Sequence, residues 1–380
     1  KYLLMALNLS ALPVIFPVYN NNLILDAYYT SATTKHYYKF DVYINSILLD
    51  SFNYPANPID KHAMINLSTV LSTYFETVVY QPSGITMFEA ISDSIVPYYV
   101  KVSVYNSGNT YVTSGSTTTA YTFNGCINLE ESLTMSDYIM SGASTGYFLT
   151  NWHTNRSIML DDYAYLQVIT GKYGTGYNSG FGGVRITRYQ LDGTSSAITK
   201  TYTNTNKAIV NMDISPKSIN VWNPYFINAM TDFYTIEEIN GYNKITMRID
   251  IIKEYKITKF YNFLYVNRMG GLDFFTAVKV SDDEYKIKKE QLEQFTTRKT
   301  YYTDSERLTT VQTQFLSAYQ AARLQELFTA GACKLWFNGK VNDITVTNNK
   351  VVVLDKYPKD KFIQYSIEFV YNYKNFVQQY

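Results

Sequence analysis

Apolar residues alternate with polar ones along most of this chain, and a two-residue period restricts it to sheets with one dry face and one wet face. Tyr38, Phe40, Val42 and Ile44 fall on one side of a strand, while Lys39, Asp41, Tyr43 and Asn45 fall on the other. The pattern returns in Tyr98-Val100-Val102-Val104, in Ile245-Met247-Ile249-Ile251 and in Ile363-Tyr365-Ile367-Phe369. Helical spacing shows before residue 120 in one place and again near the end as the longest run. Ile65 to Phe75 predicts a short helix or helical turn. Phe315, Leu316, Tyr319, Ala322, Leu324, Leu327 and Phe328 recur at three- and four-residue steps, predicting the longest helix over Thr313 to Thr329, ended by Gly331. The expected fold class is mainly β: tandem antiparallel β-sandwich domains plus a small C-terminal α+β module with one amphipathic helix.

A chain of 380 residues exceeds the usual size of one core. The expected division is an N-terminal β-sandwich over 1–110, a linker or wrapping segment over 111–147, a second sandwich-like domain over 148–297 and the α+β module over 298–380. Asn106-Ser-Gly-Asn-Thr110 and Thr113 to Thr119 hold too little apolar material to pack, so they read as loop or linker. Asn53 to Pro58 reads as Pro-rich turns. Near the end, Ile344 to Val353 predicts a hairpin turning at Asn348-Asn349, and Phe362 to Tyr371 predicts a closing strand. The opening Lys1 to Ala11 reads as an ordinary first strand or arm.

Little in the sequence points to catalysis. His36, His62 and His153 stand apart, without an HxH or HxxxH pair. Asp161-Asp162 and Asp282-Asp-Glu284 miss calcium-loop spacing and read as solvated turns. Gly174, Gly176 and Gly180 imitate a dinucleotide loop but precede a strand, where phosphate binding needs a helix N-terminus, so they read as a hairpin tip. Cys126 and Cys333 lack CxxC spacing and read as free thiols. The sequence therefore nominates no catalytic, cofactor-binding or metal-ligating residue and no cofactor. A net charge of +1 gives no field for holding phosphates, so direct nucleic-acid binding is not expected. No apolar run reaches the roughly 18 residues a membrane helix needs, and no membrane partner is expected.

The compositional anomaly is tyrosine, at 38 residues with 21 Phe beside them. Strands and interfaces favour Tyr, because the ring buries area while the hydroxyl keeps a polar partner. AT-rich codons offer an equally weighted account, since they raise Tyr, Asn, Ile, Lys and Phe together. In strands, the pairs Tyr28-Tyr29, Tyr37-Tyr38, Tyr98-Tyr99 and Tyr301-Tyr302 each put one ring outward, where it packs on another subunit better than on sugar.

The most informative segment is Phe263 to Phe275, in which an alternating run breaks at Asn267-Arg-Met-Gly-Gly271 and resumes as a second apolar strand. The paired glycines permit angles closed to other residues, so a tight strand reversal is expected, with at least one glycine at positive φ. Arg268 is placed to tie down carbonyls or a carboxylate. Three stretches together resemble a family of virion structural proteins of tailed phages infecting Bacteroidota, the crAss-like phages among them. The first is Val18 to Ile24 with Tyr37 to Ile44, Pro55-Ala-Asn-Pro58 and Ile65-Asn-Leu-Ser68. The second is Phe263 to Thr276, and the third is the helix ending Leu324 to Gly331 before a hairpin and closing strand. Leu272 departs from the aromatic more usual after the glycine pair. The resemblance implies a subunit of a tail, neck or collar ring, found in the virion and assembled in the bacterial cytoplasm. Its expected partners are copies of itself and other tail, neck or portal proteins. A receptor- or glycan-binding adhesin is the competing expectation. A glycan hydrolase, needing a carboxylate pair, is the third.

Overall fold

A computed structural model of the protein describes residues 6–19, 23–33, 35–75, 87–126, 135–139, 146–152, 155–173, 177–178, 180–204, 206–240, 246–253, 260–277, 281–294, 297–337, 340–348 and 363–372. Side chains are described at all of these except 136, 177–178, 281–294 and 297–307. Strand accounts for 52% and helix for 11%, so the mainly β class holds.

The N-terminal sandwich is two sheets around one core. The first has the order β1 (Leu7–Leu9), β3 (Ile24–Tyr29), β6 (His62–Asn66). The second runs β2 (Ile15–Pro17), β10 (Ala120–Phe123), β8 (Ile95–Tyr105), β4 (Tyr37–Ile44), β5 (Ile47–Pro55), with β9 (Tyr111–Ser116) also paired to β8. The alternation read from sequence is the reason they stack. Tyr38, Phe40, Val42 and Ile44 on β4 and Tyr98, Val100, Val102 and Val104 on β8 all face inward, against Leu25, Ala27 and Ile65. Asn45 and Ser46 turn β4 into β5, both at positive φ as a two-residue hairpin loop requires. The helical turn expected after Ile65 is α1 (Leu67–Leu71), capped by the Asn66 side chain and continued as a 3-10 turn through Tyr74.

A second core lies between two further sheets. One runs β11 (Arg156–Ile158), β19 (Met247–Ile251), β18 (Thr231–Glu238), β15 (Gly183–Gln190), β16 (Ser195–Thr201). The other runs β12 (Tyr165–Thr170), β17 (Ala208–Asp213), β7 (Phe88–Ile91), and α2 (Pro216–Trp222) adds Ile219 to the same core. The short strands β13 (Lys172–Tyr173) and β14 (Tyr177–Asn178) pair with each other. The third core lies between α3 (Ala318–Thr329) and a seven-stranded sheet. Its order is β21 (Leu272–Ala277), β20 (Tyr261–Val266), β24 (Cys333–Phe337), β25 (Lys340–Val346), β26 (Ser366–Tyr371), β23 (Thr297–Gln312), β22 (Ser281–Gln294).

Strand pairing cuts across the boundaries expected from sequence. β10 and β9, inside the expected linker, complete the N-terminal sheet, and β7 from the N-terminal stretch pairs with β17. Thr113 to Thr119, expected as loop, mostly belongs to β9. A half-exposed edge strand needs few apolar residues, and Gly115 lies against Leu7. β20 and β21 join the C-terminal sheet rather than the middle one. The helix begins at Ala318 instead of Thr313, because Leu316 bridges Ile363 and Ser317 caps the helix in a box with Gln320. It ends at Thr329, as expected, with an extended Ala330 before Gly331. A hairpin joins β24 and β25, ahead of the one expected to turn at Asn348-Asn349. Asn348 instead bonds Ser366 and Glu368 beside β26, while Asn349 to Val353 lie outside the described residues.

The hairpin β20–β21 sits between two cores. Phe263, Tyr265 and Phe275 face the α3 core, while Leu264, Leu272 and Phe274 face the middle one. Both strands are buried on both faces almost throughout, which is why they read as near-continuous apolar runs.

Candidate functional site

The reversal at 267–271 is the point where the three parts of the chain meet. Gly270 has φ +80°, and Asn267 closes the turn on itself: its N–H donates to the Gly271 carbonyl (2.8 Å) and its carbonyl accepts from the Gly270 N–H (3.0 Å). Its side-chain oxygen also accepts from the Gly271 N–H (2.9 Å). Neighbouring backbones press against the turn. A Cβ on Gly270 would overlap the Asn124 carbonyl oxygen, one on Gly271 the Leu149 carbonyl oxygen, and one on Gly125 the Met269 carbonyl oxygen. The Cys126 N–H donates to the Arg268 carbonyl (2.8 Å), joining the N-terminal sandwich to the reversal. Arg268 does reach a carboxylate, but through its backbone N–H, which donates to Glu326 of α3 (3.4 Å). Burial pushes the Glu326 carboxyl up from its ordinary value.

Beside this turn runs a buried polar network that the sequence reading missed. Arg156 and Asp273 are each 2% exposed and pair at 2.8 Å. Thr150 donates to Asp273 (2.8 Å), and Asn267 donates both to Asp273 (2.9 Å) and to the Leu149 carbonyl (3.0 Å). The guanidinium lies over the Phe274 ring at 4.8 Å, and Trp152 stacks on Phe275. The available signal was an acid inside an apolar strand, Leu272-Asp273-Phe274. A charge in that position is buried only with a partner. The opposite face of the hairpin carries a second chain: Asn262 donates to Thr276 (3.1 Å), and Thr276 donates to Asp162 (2.7 Å).

Asp162 corrects an expectation. Read as part of a solvated turn, it is 1% exposed, and burial pushes its carboxyl up to about 7 against bonds from Thr276 and Met159 that lower it. Asp161, its neighbour, is exposed. The acids Asp282 to Glu284 lie on β22 rather than in a turn.

Catalytic chemistry finds no assembled set among the described residues. His62 pairs with Asp26 at 2.8 Å and stacks on Tyr28, and His36 accepts from the Thr33 N–H (3.0 Å). His153 lies outside the described residues, as do Gly174 and Gly176. Neither Cys126 nor Cys333 is in a disulfide, and burial raises the pKa of both thiols. No cluster of three His, Cys, Asp or Glu is placed to hold a metal among the described residues. A cleft of about 500 Å³ opens between Phe75, Ile91, Ile209 and the reversal, and Asp93 is the one carboxylate among the described residues lining it.

The surface offers more. Tyr29, Tyr38 and Tyr98 point into the sandwich core while Tyr28, Tyr37 and Tyr99 are half-exposed, and the side chains of Tyr301 and Tyr302 lie outside the description. Of the outward rings, Tyr43 stacks on Tyr99 (4.8 Å between centroids) and Tyr37 on Tyr105 (5.2 Å). After α2, Tyr225 is 83% exposed at φ +61°, a conformation a bulky side chain adopts only when its surroundings enforce it. Arg188 and Asn228 enforce it here by donating to the carbonyls of Phe226 (2.6 Å) and Tyr225 (3.0 Å). The longest feature is the ribbon β22–β23. β23 pairs with β26 only over Leu308 to Gln312, so from Tyr285↔Arg307 to Gln294↔Thr297 the two strands pair only with each other among the described residues. Ten residues at a strand rise give it a reach of about 30 Å.

No family model matches the chain, and no curated protein matches it. Among solved structures it is similar to one titled "Crystal structure of CBD12 from CALX1.2", at 7% identity and a TM-score of 0.19, over 63% of this chain and 96% of that one. A similarity at that level leaves fold and function to be read from this chain's own residues.

Proposed function

We propose that this protein is a structural component of a bacteriophage virion, a subunit of a symmetric ring or collar in the neck or tail. It works by assembling with copies of itself and with neighbouring virion proteins. The observation that carries assembly is the ribbon β22–β23, which extends past its last strand partner with both outer edges unpaired among the described residues. A two-stranded ribbon alone is marginal in water, and open edges invite other chains. A ribbon of this length is therefore an element that finishes its pairing on a partner. The strained, outward Tyr225 supports the same reading, because exposed aromatics on rigid loops make interface anchors. The virion setting comes from the sequence resemblance. Averaged images of intact particles test the proposal: the chain should occupy several symmetry-related positions, with contacts burying more than about 1,000 Å² each. A single peripheral copy, or turnover of a glycan lost on mutating one acidic pair, would overturn it.

A further inference from the structure

β22 is the end strand of the seven-stranded sheet, and among the described residues its outer edge has no partner over all 14 positions. It contains neither Pro nor Gly, so every backbone N–H and C=O on that edge can enter a ladder. Lysines on an edge strand usually keep other strands away. Here, however, the charges are ordered. Asp282, Asp283 and Glu284 come first, and Lys286, Lys288 and Lys289 follow.

We infer that β22 pairs antiparallel with β22 of a second copy, about a two-fold axis at Tyr285, joining two seven-stranded sheets edge to edge. The inference deepens the assembly reading by naming the partner of this edge. Two-fold symmetry normal to a sheet keeps each residue on its own face, so opposed positions must differ by an even number. Centring on Tyr285 sets Asp282 opposite Lys288 and Glu284 opposite Lys286, and repeats both pairs across the axis. Centring one residue later keeps as many opposite pairs, Glu284 with Lys288 and Asp283 with Lys289, but adds like pairs by opposing Lys286 to itself and Asp282 to Glu290. A parallel, in-register pairing opposes every charge to its like, which is unfavourable. Within the ribbon, Lys286 and Lys288 are register partners of Glu306 and Asp304. The pairing therefore sets positions 286 and 288 each between an acid of its own ribbon and an acid of the other copy, while Lys289 lies between Thr303 and the other copy's Ser281. The irregularity at Glu290/Gln291 lies just past this window and ends it. Rings made of such pairs hold an even number of copies.

A cysteine on the axis tests the register. Directly opposed Cα atoms in an antiparallel pair are about 4.5–5.5 Å apart, within disulfide reach. Under mild oxidant the full-length Tyr285→Cys variant should give a covalent dimer, reversed by reductant. Ile287→Cys, whose own mate lies four positions away in this register, should give no more dimer than the parent. In sedimentation experiments, Asp282→Lys/Glu284→Lys should weaken the parent's dimer by at least about 10-fold, since four opposed pairs become like pairs. These two positions face Thr310 and Leu308 within the ribbon, so the ribbon itself keeps its charge pattern. Tyr285→Cys that cross-links no better than Ile287→Cys overturns the inference. If particles carry symmetric copies but that variant stays monomeric, the ring reading survives and the pairing falls. Cross-linking at position 285 in a chain absent from particles has the reverse outcome.

Discussion

Asp162 is held almost out of reach of water, and its carboxyl titrates near pH 7 rather than near 4. A raised carboxyl pKa means that the folded state keeps a proton which the unfolded chain has already lost. Its contribution is fully present below about pH 4 and disappears as pH climbs through about 7. Asp162→Asn keeps an oxygen for Thr276 and Met159 but removes the titration. The variant should gain on the parent by an amount on the order of 3 kcal/mol between pH 4 and pH 8, read by urea denaturation across that range. An unchanged difference would mean that the carboxyl is not neutral in the fold. Arg156 and Asp273 form a buried ion pair in which each is the other's charged partner. Asp273→Asn leaves a buried guanidinium unpaired and should cost about 3–5 kcal/mol. Adding Arg156→Met, which removes that charge while Asn still accepts from Thr150 and Asn267, should recover at least about 1 kcal/mol in a double-mutant cycle.

Among the elements, the reversal between β20 and β21 was legible because glycines are conspicuous, and its positive φ falls at Gly270. What the sequence could not display is why both glycines are needed: the carbonyls of Asn124 and Leu149 arrive from far along the chain. Gly270→Ala and Gly271→Ala should each destabilise by more than about 3 kcal/mol, the first through strain and overlap and the second through overlap alone. Gly193 has φ +83° but open space around it, so Gly193→Ala should cost only about 1 kcal/mol, and equal losses at all three sites would count against this account. The same division between local and distant information explains the other outcomes. Alternation in β4 and β8 is local, and it gave their buried faces. Thr113 to Thr119 looked unstructured because an edge strand beside Leu7 takes its order from a partner. Helical spacing starts five residues before the helix because Phe315 and Leu316 keep its steps, while Leu316 pairs with Ile363. Arg156 and Asp273 are 117 residues apart, and nothing nearby in the chain announces such a pair.

For the whole molecule, a hairpin buried on both faces makes two cores share one element. Neither core keeps its wall if β20 and β21 leave, so the middle and C-terminal parts should unfold together despite their separate sheets. Variants retaining only Trp222, beside the middle core, or only Trp152, in the α3 core, should report the same denaturant midpoint. Two resolved midpoints would show that the cores open independently. The shared hairpin also sets a timetable for synthesis. β20 and β21 leave the ribosome well before β24, which covers one edge of the pair, and before α3, which covers one of its faces. Until Phe337 has emerged, Phe263, Tyr265 and Phe275 have no finished core to enter. A ribosome that stalls in that interval therefore releases an adhesive fragment needing a chaperone, not a smaller folded protein.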